Sequence, residues 1–243
     1  MSAEVAFTKG NLDDYLRMLA KEFRKRNGKV MPAEIILIGG AAVLINYGFR
    51  EKTYDFDAII RASSAMKDAI NYVGDENQLQ EGWLNSDFTK TNSYSPKLVQ
   101  YSTYYKTFSN ILTVRTISKE YLVAMKLRSF RTYKNDLSDI VGIYREQMEL
   151  GDPLTKERVE QAVVNLYQSW DSISENAQNL ISRLETIDDF DTFYDETRKS
   201  EIENEETLMQ FEGKYPNKLN DENVDSILKS IKQKEKKTKG PKL

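Results

Sequence analysis

The segment that most limits what this chain can become runs from residue 34 to residue 60. It opens with EIILIGG, an isoleucine-rich run too short for a helix and stopped by Gly39-Gly40, which reads as a buried strand. AAVLINYG follows and reads as a short helix closed by Gly48. TYDFDAII then alternates in the period of a strand, from Thr53 to Ile60. A strand, a glycine pair, a helix and a second strand in so few residues predict a small mixed sheet with helices around it.

The rest of the chain extends that frame. Leu12, Tyr15, Leu16, Leu19 and Phe23 recur at helical spacing, so a helix is expected over 11–27, ended by Asn27-Gly28 with Pro32 beyond. Ser63 is placed to cap a helix running to about Tyr72. Residues 74–95 are polar and turn-rich, whereas LVQYSTYY (98–105) and NILTVRT (110–116) have the β-branched and aromatic content of strands. From Ser118 the pattern turns helical, near 118–131, 136–149, 155–169 and 173–186, with Gly151-Asp152-Pro153 separating the second helix from the third. Beyond about 188 the chain is polar helix or loop, broken at Pro216. The expected fold class is α+β. A mixed sheet with flanking helices occupies 1–117, a helical region 118–213, and a polar, lysine-rich tail 214–243.

Two missing residue types narrow the chemistry. The chain has neither cysteine nor histidine. Disulfides and thiolate metal sites are excluded, and so are His-centred triads and most zinc sites. Catalysis would have to run on carboxylates, lysines, arginines, hydroxyls or a hard metal bound by oxygen. The N-terminal MSAEVAFTKG lacks an apolar stretch of signal-peptide type, and no run approaches the length of a membrane span, so a cytoplasmic protein without a membrane partner is expected. The net charge of −3 conceals an asymmetry: thirteen acids against three basic residues over 171–213, and seven lysines against one glutamate over 229–243. That pattern points to charge-selective partners or to one segment folding against another, and the tail itself reads as a solvated end.

Asp55-Phe56-Asp57 begins fifteen residues beyond Gly40. Residues two apart on a strand point to one side, so Asp55 and Asp57 would present two carboxylates together. Like charges that close are costly unless a cation neutralises them, and oxygen ligands without histidine suit Mg²⁺ (or Mn²⁺). A glycine pair between strand and helix lets backbone amides approach a phosphate at the helix N-terminus. Either half alone is also what a tight turn and two solvated acids would give, but the two in this order are more specific.

A second constellation lies in SKEYLVAMKLRSFRTYKNDLSDIVGIYRE. Residues 121–127 are apolar except for Lys126, which either snorkels at an edge or faces a charged site. Asp136 and Asp139 share a helix face beside a predicted buried stripe of Leu137, Ile140, Val141, Tyr144 and Met148. An acid such as Asp136 can simply complement a helix N-terminus. Its coincidence with Lys126, Arg131 and Lys134 favours function.

The pattern Gly-Gly-x14-Asp-x-Asp resembles the signature of the polymerase-β-like nucleotidyltransferases, and the stretch from Leu122 to Asp139 resembles a segment of AbiEii-type abortive-infection toxins within that superfamily. The resemblance covers roughly residues 34–145. It implies a nucleotidyltransferase-like fold and metal-assisted transfer from a nucleoside triphosphate. Gly39 and Gly40 would meet the triphosphate, Asp55 and Asp57 would hold the metals, and Lys126 would pair with a phosphate. Asp136 would be the third carboxylate, as metal ligand or general base, with Arg131 and Lys134 as further phosphate contacts. Two departures stand out: Ala41 follows Gly40 where the family often has serine, and the stretches 98–105 and 110–116 carry no acid, leaving Asp136 to serve.

Three functions fit these residues. The first is transfer of an NMP to a macromolecular acceptor such as RNA, including the 3′ end of a tRNA, by a toxin or phage-defence component with a cognate antitoxin. The second is a small-molecule nucleotidyltransferase acting on an antibiotic-like acceptor, which the acidic block would suit. The third is a non-catalytic protein-binding module.

Overall fold

The computed structural model describes residues 5–28, 31–220 and 223–238, and side chains as far as residue 234. In chain order its elements are α1 (Leu12–Asn27), β1 (Ala33–Leu37), α2 (Gly39–Asn46), β2 (Phe56–Arg61), α3 (Ala65–Glu76), β3 (Leu84–Asn85), β4 (Ser102–Phe108) and β5 (Leu112–Ile117). The helices α4 (Lys119–Ser129), α5 (Asp136–Glu149), α6 (Lys156–Tyr167), α7 (Glu175–Leu184), α8 (Phe190–Lys214) and α9 (Val224–Thr238) follow. This is the expected α+β class, a mixed sheet flanked by helices and followed by a helical region.

The five strands lie in the order β3-β2-β1-β5-β4. β1 pairs antiparallel with β2 and parallel with β5, β2 pairs parallel with β3, and β4 pairs antiparallel with β5. The central strand β1 is buried on both faces, which is why its sequence is an unbroken apolar run rather than an alternating one. Ile35 and Leu37 face a core shared with Leu16, Leu19 and Phe23 of α1 and Met66 and Val73 of α3. Ile36 faces the other core, which runs without interruption through Leu122 and Val123 of α4 to Ile181 of α7 and Phe193 of α8.

Several local expectations change. Residues 98–101, expected to open the strand 98–105, instead belong to a 3-10 turn, Pro96–Tyr101, begun by a proline, and β4 starts at Ser102. Proline fixes φ for a first helical position, while the apolar residues after it fit either conformation. The Ser63 hydroxyl donates to Asn27 Oδ1 (2.6 Å) instead of capping α3, which begins after Ser64. Met148 is 54% exposed, at the end of α5 where the stripe turns out of the core. Residues 224–238, placed in the tail, form α9, whose Val224 and Leu228 pack on Leu208 of α8.

Candidate active site

Phe56 fixes the two acids. Its ring is fully buried against Phe7 (centroids 4.4 Å apart) and Trp83 (5.8 Å). Because side chains alternate across an extended chain, driving Phe56 into that core sends Asp55 and Asp57 to the opposite face, toward the helical region. Asp55 stands immediately before β2 and is exposed; Asp57 lies on the strand and is half-buried.

The glycine turn meets the same place. Ile38 ends β1 in an extended conformation and donates its N–H to the Asp57 carbonyl (2.9 Å). Gly39 then turns with φ 55°, a left-handed value that glycine adopts freely, and α2 begins there. A side chain at Gly39 would place its Cβ 3.4 Å from Asp57 Oδ2. The turn therefore lies directly against the carboxylate. No side chain caps α2 and its first turn holds no acid, so its leading amides present a positive helix end beside Asp57. Gly40 is needed for a different reason: a Cβ there would fall 2.7 Å from Thr53 Oγ1 and 2.9 Å from Arg50 Nη2.

Burial and, next, the Asp55 charge push the Asp57 carboxyl up from 3.8 to about 6. Arg131 and the Asn85 amide pull the other way, and Asp87 adds a little to the rise. Asn85, Asp87 and Arg131 therefore surround the same carboxylate. Asn85 stands opposite Asp57 in the β2–β3 register, and its Oδ1 accepts from the Asp87 N–H (2.9 Å). Asn85 and Asp87 were not legible from sequence. They lie in a polar, turn-rich stretch where a two-residue strand gives no periodic signal.

Arg131 is one end of a line of alternating charge. It grips Asp136 through Nε (2.8 Å) and Nη2 (3.1 Å). Lys126 Nζ bridges Asp136 Oδ1 (3.2 Å) and Asp139 Oδ2 (2.7 Å), and Arg50 Nη1 donates to both oxygens of Asp139 (2.9 and 2.6 Å). Lys126, Asp136 and Asp139 are each buried. Asp136 also accepts from Ser129 Oγ (2.9 Å) and the Arg131 N–H (3.2 Å), so both its oxygens are occupied. Burial would push its carboxyl up, but Lys126 and Arg131 outweigh that and hold it well below the ordinary range. Arg50, the other end of the line, went unrecognised in the sequence because its partner is 89 residues away. Lys134 is exposed and lines a groove with Glu205 and Glu212 of α8; among the described residues it makes no ion pair.

Among the described residues no three acids are grouped so as to cage a metal ion. A hard dication completed by substrate phosphates needs only one or two carboxylates. Asp55 and Asp57 suit that case: oxygen donors on one side of the chain, with the Asp57 carboxyl pushed up by burial and then by the Asp55 charge.

The fold and this site define an α+β protein with a glycine turn, at the start of a helix, set against paired carboxylates. The chain belongs to the family described as nucleotidyltransferases of unknown function (DUF6036), whose profile matches residues 14–187. That match supports the superfamily expected from the sequence, and does not extend to the abortive-infection toxin branch. No curated protein matches the chain, and no solved structure matches it. Among the described residues, no helix is long and apolar enough to cross a membrane.

Proposed function

We propose that this protein transfers an NMP from an NTP to a hydroxyl of an RNA acceptor, such as the 3′ end of a tRNA, with Mg²⁺ or Mn²⁺. One observation carries the reading: Asp57 Oδ2 lies against Gly39, so a carboxylate pair and an uncapped helix N-terminus converge on one point. The acceptor oxygen forms a bond to the α-phosphorus as the bond to the bridging oxygen breaks, and pyrophosphate leaves. A divalent cation on Asp55 and Asp57 would neutralise the pair and the phosphates and help to activate the acceptor hydroxyl.

The chain's own residues divide the remaining work. The leading amides of α2 bind triphosphate oxygens. Arg131 adds a fixed positive charge beside Asp57, and Asp136 holds that guanidinium in place. Asp136, expected from the resemblance as metal ligand or general base, and Lys126, expected as phosphate partner, are positioning residues in this proposal. In the cell such an activity fits a toxin or phage-defence component restrained by an antitoxin, the role supported by the resemblance of residues 122–139.

The acidity of α8, with Glu201, Glu203, Glu205, Glu206 and Glu212, supports a second reading in which the acceptor is a small polycation. Incubation with NTPs labelled at the α-phosphate, total RNA and Mg²⁺ or Mn²⁺ decides between them. Labelled RNA, absent with Asp57→Ala, supports the proposal. Label on an aminoglycoside instead of RNA moves the acceptor to the second reading, and no label on either removes both.

A further inference from the structure

A cleft of about 1080 Å³ opens between α7, α8, α9 and the turn joining α4 to α5. That volume suits a ligand of nucleotide size or somewhat larger. Its wall carries an unmet hydrogen bond. Asn204 is 4% exposed, and its Nδ2 donates to the Thr132 carbonyl (2.7 Å). A carbonyl can only accept, so the amide orientation is fixed and Oδ1 faces the other way, where it has no partner. A buried acceptor left in that state is destabilising, and a ligand N–H would relieve it.

The turn itself is strained. Phe130 adopts a left-handed backbone (φ 43°, ψ 43°), uncommon for a bulky side chain. That conformation places Phe130 and Thr132 on the cleft wall, while Arg131 between them reaches Asp136 and the field of Asp57. The cleft and the carboxylate site thus share one turn as a common wall. A second ring, Phe193 of α8, also lines the cleft, with Arg183 stacked on it at 4.1 Å.

Four cations, Arg128, Arg183, Lys229 and Lys232, line the cleft against three acids, Glu196, Glu201 and Asp225, a small excess that favours an anion. Of the nearby acids, Glu201 is committed to the start of α5, accepting from the Leu137 (2.8 Å) and Ser138 (3.2 Å) amides. Glu205 and Glu212 line the separate groove beside Lys134.

We propose that this cleft holds a nucleotide unit of a single-stranded RNA, the acceptor of the transfer reaction. Its base lies against Phe130 and Phe193, its exocyclic amine donates to Asn204 Oδ1, and its phosphates sit at Arg128, Lys229 and Lys232. The proposal rests on the nucleotidyltransferase reading of the Asp57 site and says where the acceptor is held.

Fluorescence anisotropy of roughly ten-nucleotide labelled RNAs tests it on the full chain. Oligo(A) and oligo(C) bind more tightly than oligo(U), whose base lacks an exocyclic amine. The variant Lys229→Glu/Lys232→Glu binds about tenfold or more weakly, with a shallower salt dependence. Binding of a Mn²⁺–NTP complex, measured alongside, is unchanged in that variant. RNA binding that ignores the lysines, equal affinity for oligo(U), or binding of spermine in place of RNA would each overturn the proposal. Lysine-dependent RNA binding in a protein that does not bind NTP would keep the cleft and remove the transferase reading, so the two fail separately.

Discussion

Two groups of aspartates lie close together in this protein and are treated in opposite ways. Asp136 and Asp139 sit in a buried line of alternating charge, in which each carboxylate touches two cations. Asp55 and Asp57 lie on one side of the chain at the start of β2, with Arg131 as the nearby cation. Burial is therefore a poor guide to which acid does chemistry. Asp136, between Lys126 and Arg131, is held down in pKa, whereas Asp57, buried beside Asp55, is pushed up; in the function proposed above, the second is the one that takes a cation.

Substitution should separate the groups, and the widest gap is expected in transfer activity. Asp57→Asn should lower RNA labelling by about a thousandfold or more, roughly 4 kcal/mol, without loss of folding stability. The converse change, Asp136→Ala, should cost about 3–5 kcal/mol in urea unfolding, because Lys126 and Arg131 lose a shared buried partner. If Asp136→Ala folded as well as wild type while losing activity, the division would fail.

Next in size is the glycine turn that joins the groups. Gly40→Ala should destabilise by about 1–3 kcal/mol, since its Cβ would press on Thr53 and on the Arg50 guanidinium that holds Asp139. Differential scanning calorimetry would measure that loss.

Titration sharpens the contrast further. Asp57 binds its proton more tightly when folded, at about 6 against an ordinary 3.8. Its stabilising contribution is thus present below about pH 4 and is lost as the pH rises through about 6. Without metal, Asp57→Asn should gain on wild type across that window and then hold its advantage. Mn²⁺ affinity of the wild type should rise over the same window as the carboxylate ionises. Asp136→Asn should show no such window, because its carboxyl titrates well below it. Glu201, raised to about 7 mainly by burial, affects wild type and variant alike and cancels in the comparison. The smallest effect is expected at Lys134→Ala, within about 0.5 kcal/mol in stability and with unchanged labelling.

The sequence carried the unbalanced group more clearly than the balanced one. Helical patterning marked α1 and α4 to α7, an unbroken apolar run stopped by glycines marked β1, and the spacing of the glycines to Asp55-Phe56-Asp57 marked the place where turn and strand meet. These are short-range signals. The link between Arg50 and Asp139 spans 89 residues and exists only once the sheet has formed, so nothing local announces it. Lys126 and Asp136 were visible as odd charges among apolar neighbours, but their near-saturation by each other, Asp139 and Arg131 was not. Asn85 and Asp87 were missed because a strand of two residues has no period to detect. Pro96–Tyr101 misled because strand-like side chains followed a proline that starts a 3-10 turn.

Electron paramagnetic resonance of Mn²⁺ with a non-hydrolysable NTP, comparing wild type, Asp57→Asn and Lys134→Ala, tests the central claim most directly. The account predicts that wild type and Lys134→Ala bind the Mn²⁺–NTP complex and that folded Asp57→Asn does not. Equal binding by Asp57→Asn would contradict it and place the cation elsewhere.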